Sequence, residues 1–176
     1  MFDFLVSVIP GFIFKESRKE KIISVTFDNL FLTLFFLRNN VFTQFRVLTC
    51  ISGIDFLGLK NRFCVVYELL SLVYNCRLRV KVFLGCSAVV SSVCSIYINA
   101  NWWEREIWDM FGIFFQNHPD LRRILTDYGF EGFPLRKDFP VCGFIDLRYD
   151  ANKRLVCSEP IDLAQDFRFF IFENQW

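Results

Sequence analysis

The sequence predicts an α+β chain: a single small domain with a mainly antiparallel sheet and packed helices, followed by an extended C-terminal tail. Three observations carry this. Leu78, Val80, Val82 and Leu84 alternate with Arg77, Arg79, Lys81 and Phe83, the period of a strand with one buried face and one mostly charged face. The spacing then switches to helical, placing Trp103, Ile107, Met110, Phe111 and Phe114 on one apolar face. Beyond that, Gly129, Gly132, Pro134, Pro140 and Gly143 punctuate the chain too often for a long helix. The domain is predicted over residues 1–115, and a short helix with an extended docking tail over 116–176.

In chain order, IISVT at 22–26 is a β-branched run that reads as a strand. A helix follows the candidate cap Asp28, because Leu30, Phe31, Leu34, Phe35 and Leu37 recur with helical spacing. Phe45–Ile51 and Phe63–Ser71 read as buried strands separated by a Gly-containing loop, Gly53–Asn61. Tyr74, Asn75 and Cys76 are the predicted hairpin turn into the strand Arg77–Leu84. Asn101 with Glu104 three residues on has the form of a capping box. In the helix it opens, Glu104, Arg105, Glu106 and Asp109 lie off the apolar face, with Arg105 and Asp109 spaced to pair on the surface, and Gly112 is the stop. Pro119 is predicted to begin a second short helix with Leu121, Ile124, Leu125 and Tyr128 as its buried stripe. From residue 130 on, Phe133, Phe139, Phe144, Tyr149, Phe167, Phe169, Phe170, Phe172 and Trp176 make the tail unlike a solvated disordered segment. An apolar, non-compact tail needs another surface to lie on.

Composition narrows the function classes. The formal charge of +1 supplies no broad field for nucleic acid or an anionic membrane. Hydrophobic residues are 53% of the chain and mean hydropathy is +0.32, so protein partners are expected to cover the excess. The charge-free run Val82–Trp103 is interrupted by Gly85, Ser87, Ser91, Ser92, Ser95, Asn99 and Asn101, which favours a strand, a Ser-rich loop and a second strand over a membrane helix. Phe2–Phe14 and Asn29–Leu37 are shorter and read as buried core segments. No secretory or import signal is legible at the N-terminus. The 24 phenylalanines against four alanines point to an AT-rich coding genome, in keeping with organelle encoding. Seven cysteines without a CxxC support no sequence-local metal or iron–sulfur site and read as buried reduced thiols.

Motifs for catalysis are mostly absent. GIDFLGLKN at 53–61 has Leu59 where a phosphate-binding loop needs Lys, and there is no GxGxxG. Glu104 and Glu106, two apart on a helix, point away from one another and cannot act as an acid and base pair. His118 is the only histidine and lacks a GxSxG partner motif. It reads as a helix cap or the partner of a nearby carboxylate, with an independent soluble hydrolase using His118 and neighbouring carboxylates as the alternative. What remains is a dense charged set interleaved with Trp103, Trp108 and several Phe. Its members are Glu104, Arg105, Glu106, Asp109, His118, Asp120, Arg122, Arg123, Asp127, Tyr128, Glu131, Arg136, Lys137 and Asp138. Arg with aromatic residues is the composition of interface centres, so these are the candidate subunit-interface residues.

The stretch NWWEREIWDMFGIFFQNHPDLRRILTDYGFEGFPLRKDFP at 101–140 resembles the signature of the thirty-kilodalton subunit of respiratory complex I. RFCVVYELLSL at 62–72, RLRVKVFL at 77–84, GFIDLRYD at 143–150 and SEPIDLAQDFRFF at 158–170 resemble the same family, whereas the first sixty residues match it loosely. LTDYGFEG is similar to the mitochondrial and proteobacterial branch, which implies ubiquinone rather than plastoquinone. The family usually has Gly-His-Pro where this chain has Gly132, Phe133 and Pro134. The resemblance implies a non-catalytic structural subunit of the peripheral, matrix-side arm of a mitochondrial NADH:ubiquinone oxidoreductase, supporting the quinone-binding module. It implies an obligate hetero-oligomer, a tail that wraps the forty-nine-kilodalton subunit, and no cofactor on this chain. FMN and iron–sulfur clusters are expected on partner subunits.

Overall fold

The computed structural model describes residues 13–17, 20–168 and 170. The predicted core segment Phe2–Phe14 falls almost entirely outside them, as do Phe169, Phe172 and Trp176 of the tail. The chain divides into two units, one through Lys137 and one from Asp138.

The first unit is built on a five-stranded sheet with strand order β1-β2-β5-β4-β3, formed by β1 (Ile13–Ser17), β2 (Glu20–Val25), β3 (Val47–Asp55), β4 (Phe63–Ser71) and β5 (Cys76–Leu84). Every pairing is antiparallel except β2 with β5. The parallel pair needs a crossover, and the chain uses it to carry α1 (Leu30–Asn39) and the hairpin β3–β4. The alternation that predicts β5 is the observed burial: Leu78, Val80, Val82 and Leu84 are all at most 1% exposed. They join Val65, Tyr67 and Leu69 of β4, Ile23 of β2, and Leu30, Leu34 and Leu37 of α1 in one core. On the opposite face Arg79 pairs with Glu20 and Glu68, and such partly exposed pairs contribute under about 1 kcal/mol each.

Several local expectations are replaced by tertiary solutions. α1 is capped at Asn29 rather than Asp28, without a side-chain bond, and its Phe35 is exposed. β3 starts later than expected and runs on to Asp55, because Gly53 lies against the Phe111 ring and continues the ladder to Val65. A bulge between Leu48 and Cys50 interrupts that ladder. The run Val82–Trp103 is shared among the end of β5, the short β6 (Val89–Ser91), turns, and the start of α2 (Ala100–Phe111). Among the described residues no helix is long and apolar enough to cross a membrane. The cysteines are all free, but only Cys64 is buried; Cys86 is exposed and the rest lie between.

α2 is followed at once by β7 (Phe114–Gln116), parallel to β6. The turn is made by Gly112 at φ +72°, whose N–H donates to Trp108 O at 2.9 Å. The left-handed conformation favours glycine there, and a Cβ would meet Arg136 and Phe133 at 2.5 and 2.6 Å. The second helix expected from Pro119 does not form; residues 119–130 are irregular. Three of their backbone N–H groups, those of Ile124, Leu125 and Thr126, are bound by a side chain from α2 instead.

In the second unit, β8 (Ile145–Asp150) and β9 (Leu155–Pro160) make an antiparallel hairpin within the segment predicted as simply extended. Asp150 Oδ1 accepts the N–H groups of Asn152 and Lys153 in its turn, and Arg148 and Glu159 pair across it.

Candidate functional site

Helix α2 carries two wholly buried carboxylates, Glu104 and Asp109, where helical periodicity predicts polar residues off the apolar face. The capping box is not formed. The N-cap is Asn99 with no side-chain cap bond, and Asn99 Nδ2 instead donates to Leu48 O at 2.6 Å. Glu104 turns into the fold, where Ser92 Oγ donates to Oε2 at 2.6 Å and Val93 N–H to Oε1 at 2.8 Å. The Cys94 thiol lies 3.3 Å from Oε2. Burial pushes the Glu104 carboxyl above its ordinary value, against the opposing pull of the Ser92, Val93 and Cys94 donors.

His118 comes to the same place. Its side chain is fully buried with Nε2 3.8 Å from Glu104 Oε2, so a carboxylate is its neighbour, as predicted, but beyond hydrogen-bond reach. Asp120 N–H donates to Nδ1 at 3.1 Å, which puts the ring proton on Nε2, where it faces Asn101 O at 3.2 Å. A histidine locked in that tautomer and closed off from solvent has no means of activating a water or a nucleophile for substrate.

Asp109 organises the loop after β7. Its Oδ2 accepts the N–H groups of Ile124, Leu125 and Thr126 at 3.1, 2.8 and 3.0 Å, and its Oδ1 accepts the Thr126 hydroxyl at 2.7 Å. Burial pushes this carboxyl up, but these donors together outweigh it and hold Asp109 below its ordinary value. The predicted surface pair with Arg105 is absent: Arg105 Nε donates to Arg122 O, and Arg123 takes the place beside Asp109 at 3.4 Å.

Arg123 also donates to Gly132 O at 3.0 Å and lies over the Phe133 ring. Arg136 donates to Phe111 O at 2.6 Å and stacks 4.3 Å from the centroid of Phe133. Phe133, which stands where the family resemblance expects His, is thus an aromatic seat for two guanidiniums and an edge partner for Trp108. Lys137 N–H donates to Asp55 Oδ2, while Arg62 clamps the same carboxylate with Nε at 2.6 Å. That bond first, then the Lys137 N–H, holds Asp55 below its ordinary value despite burial.

The charged set therefore splits. Glu104, Asp109, His118, Arg123, Arg136 and the Lys137 backbone work inside the fold. Asp120 and Arg122 pair with each other on the surface at 2.9 Å. Asp127, Tyr128, Glu131 and Asp138 are exposed, with Glu106 partly so; Tyr128 is fully exposed, and Leu125 and Leu135 are more than half exposed. Ser92, Cys94, Asp55 and Arg62 were not singled out by sequence, because none shares a local motif with the residue it serves.

A family model described as the respiratory-chain NADH dehydrogenase, 30 Kd subunit, matches residues 23–144, beginning well upstream of Arg62. A Beta trigyna protein named NADH dehydrogenase [ubiquinone] iron-sulfur protein 3 is 54% identical over 149 residues, 85% of this chain and 78% of the relative. NADH-ubiquinone oxidoreductase subunit 9 of Prototheca wickerhamii is 51% identical over 81% of this chain and 74% of its own length. A Marchantia polymorpha relative is 49% identical across 99% of this chain and 91% of its own. Among solved structures, a chain of an archaeal membrane-bound sulfane sulfur reductase shares the fold, with a TM-score of 0.68, 23% identity, and coverage of 79% of this chain and 83% of its own. On the match over residues 23–144 and on relatives about half identical along most of its length, the chain belongs to the family of the 30 kDa subunit of respiratory-chain NADH dehydrogenase.

Proposed function

We propose that this chain is a non-catalytic scaffold subunit of the peripheral, matrix-side arm of a mitochondrial complex I, holding the quinone-binding module during electron transfer from NADH to ubiquinone. Its main neighbour is the forty-nine-kilodalton subunit, and FMN and iron–sulfur clusters reside on partner subunits. The observation that carries this reading is the division of the charged signature: Glu104, Asp109 and His118 are used inside the fold, and the loop that Asp109 holds leaves Leu125 and Tyr128 exposed. A loop tied down by backbone hydrogen bonds and displaying a fully exposed aromatic residue is suited to fill a partner's pocket, because less backbone entropy is lost on docking. Family membership and the closed His118 remove the hydrolase alternative.

The relatives' names mention iron–sulfur, and the donor set here does not fit a cluster. Among the described residues the one group of three or more metal-ligating side chains contains a single cysteine, whereas clusters are held mainly by four thiolates. No electron-transfer step is assigned to this chain.

Two arginine substitutions test the scaffold reading. Arg122 is exposed on the loop, so Arg122→Glu is expected to leave the free chain's denaturation midpoint unchanged and to lower the amount of assembled complex on native gels. Arg136 binds within the fold, so Arg136→Glu is expected to lower both, by about 2–4 kcal/mol in stability, as an unpaired charge enters a packed site. Normal complex abundance in Arg122→Glu and in Tyr128→Ala together would overturn the assignment of this loop to an interface.

A further inference from the structure

Cys94, Glu104 and His118 lie far apart in sequence, yet each brings one ligand atom to within 4.8 Å of the others. We propose that these three side chains form a binding site for one zinc-class divalent cation inside the first unit. The chemistry of the donors selects the ion. One thiol, one imidazole and one carboxylate suit borderline-soft zinc, whereas calcium and magnesium require mostly oxygen donors.

Geometry supports it. The Cys94 Sγ is 3.3 Å and the His118 Nε2 3.8 Å from Glu104 Oε2. Tetrahedral zinc with bonds of roughly 2.0–2.3 Å sets its ligand atoms about 3.3–3.8 Å apart. Val93 N–H holds the other carboxylate oxygen, Oε1, which orients Glu104 so that Oε2 faces the thiol and the imidazole. Such outer hydrogen bonds position metal ligands.

A second observation is independent of the three ligands. Tyr67 is fully buried, and its hydroxyl has no hydrogen-bond partner among the described residues. Buried hydroxyls are almost always bonded. Tyr67 lies within electrostatic reach of both Glu104 and Cys94, so a water completing the ion's coordination would give this hydroxyl a partner.

Binding has a defined proton balance. Without an ion, the Cys94 thiol, pushed by burial to about 11, keeps its proton, and the His118 proton sits on Nε2. On loading, the thiol proton leaves to solvent as the sulfur–metal bond forms. The imidazole proton moves from Nε2 to Nδ1, freeing the Nε2 lone pair. The N–H of Asp120, an exposed residue, turns from Nδ1 to water. With Glu104 ionised, one proton is released per ion, and where Glu104 is protonated a second leaves with it, so affinity rises with pH.

The test uses the purified full-length chain, stripped with chelator and titrated with Zn2+ and, separately, with Co2+ as a spectroscopic probe. One ion per chain is expected, with the visible bands of tetrahedral cobalt and a thiolate charge-transfer band. Cys94→Ser is expected to abolish the charge-transfer band and weaken Zn2+ binding at least roughly tenfold, with circular dichroism unchanged, and His118→Gln to weaken it likewise. Substitution of the exposed Cys86 by Ser is expected to change nothing. Substoichiometric binding, an octahedral cobalt spectrum, or binding that survives Cys94→Ser would overturn the site. Should His118→Gln fail to fold, the Cys94 and Cys86 variants decide the matter.

Discussion

Asp109 shows how much one side chain can organise: three consecutive backbone N–H groups and a hydroxyl end on its two oxygens. The irregular segment 119–130 lacks its own ladder, so the carboxylate stands in for the helix the sequence predicts there. Asp109→Asn replaces an acceptor with an amide that must turn a donor toward at least one of these groups. A loss of about 1–3 kcal/mol is expected from unsatisfied buried donors, read as a lower urea midpoint, together with faster protease cleavage between residues 119 and 137. An unchanged cleavage rate would show that the loop is held by something else. Nothing in the sequence distinguishes Asp109 from the surface acids Asp120 and Asp127, since a residue's distance to groups fifteen positions away is set by the turn at Gly112 and the strand after it.

At the scale of elements, the strands were the most legible part. β4 has the bounds the sequence predicts, and β5 begins one residue earlier, because alternation is a local property that burial on one side enforces at every second residue. α2 was legible as a helix but not in its orientation, since it buries two acids that periodicity assigns to solvent. Its fit against β3 depends on Gly53, where an added Cβ would lie 2.7 Å from two atoms of the Phe111 ring. Gly53→Ala is accordingly expected to destabilise by about 1–3 kcal/mol as the packed ring is displaced, seen as a drop in thermal midpoint; a neutral result would mean that the ring has room to move. The hairpin β8–β9 stands differently. Ile145, Leu147 and Tyr149, with Val156 across the ladder, are all at least half exposed, and an isolated two-stranded hairpin is marginal in water. Amides at 145–160 should exchange quickly in the free chain and become protected on assembly with the peripheral arm, a difference that hydrogen exchange would measure directly.

Over the whole molecule, the buried carboxylates pull the pH dependence in opposite directions. Asp55 and Asp109 sit below their ordinary 3.8, so each contributes stability that is present above that value and is lost as pH falls through the lower folded value. Glu104 is raised above its ordinary 4.5, so its contribution is present at low pH and is lost as pH rises through the folded value. Metal-free chain should therefore gain stability on acidification from neutrality toward pH 4.5, then lose it below about 3.8. Glu104→Gln should flatten the first limb and leave the second, and denaturation midpoints across the pH series would expose the opposite outcome. Composition and periodicity by themselves determined the strands β2 to β5 and the positions of α1 and α2. With the family signature, they also pointed to a chain dependent on partners, because side-chain alternation and surface-to-core balance are properties of the chain alone. Only the tertiary structure decided which charges face inward. Three donors or ligands from positions 94, 104 and 118 meet because the short parallel pair β6–β7 returns the chain beside its own path, and the energy of a buried carboxylate depends on that encounter.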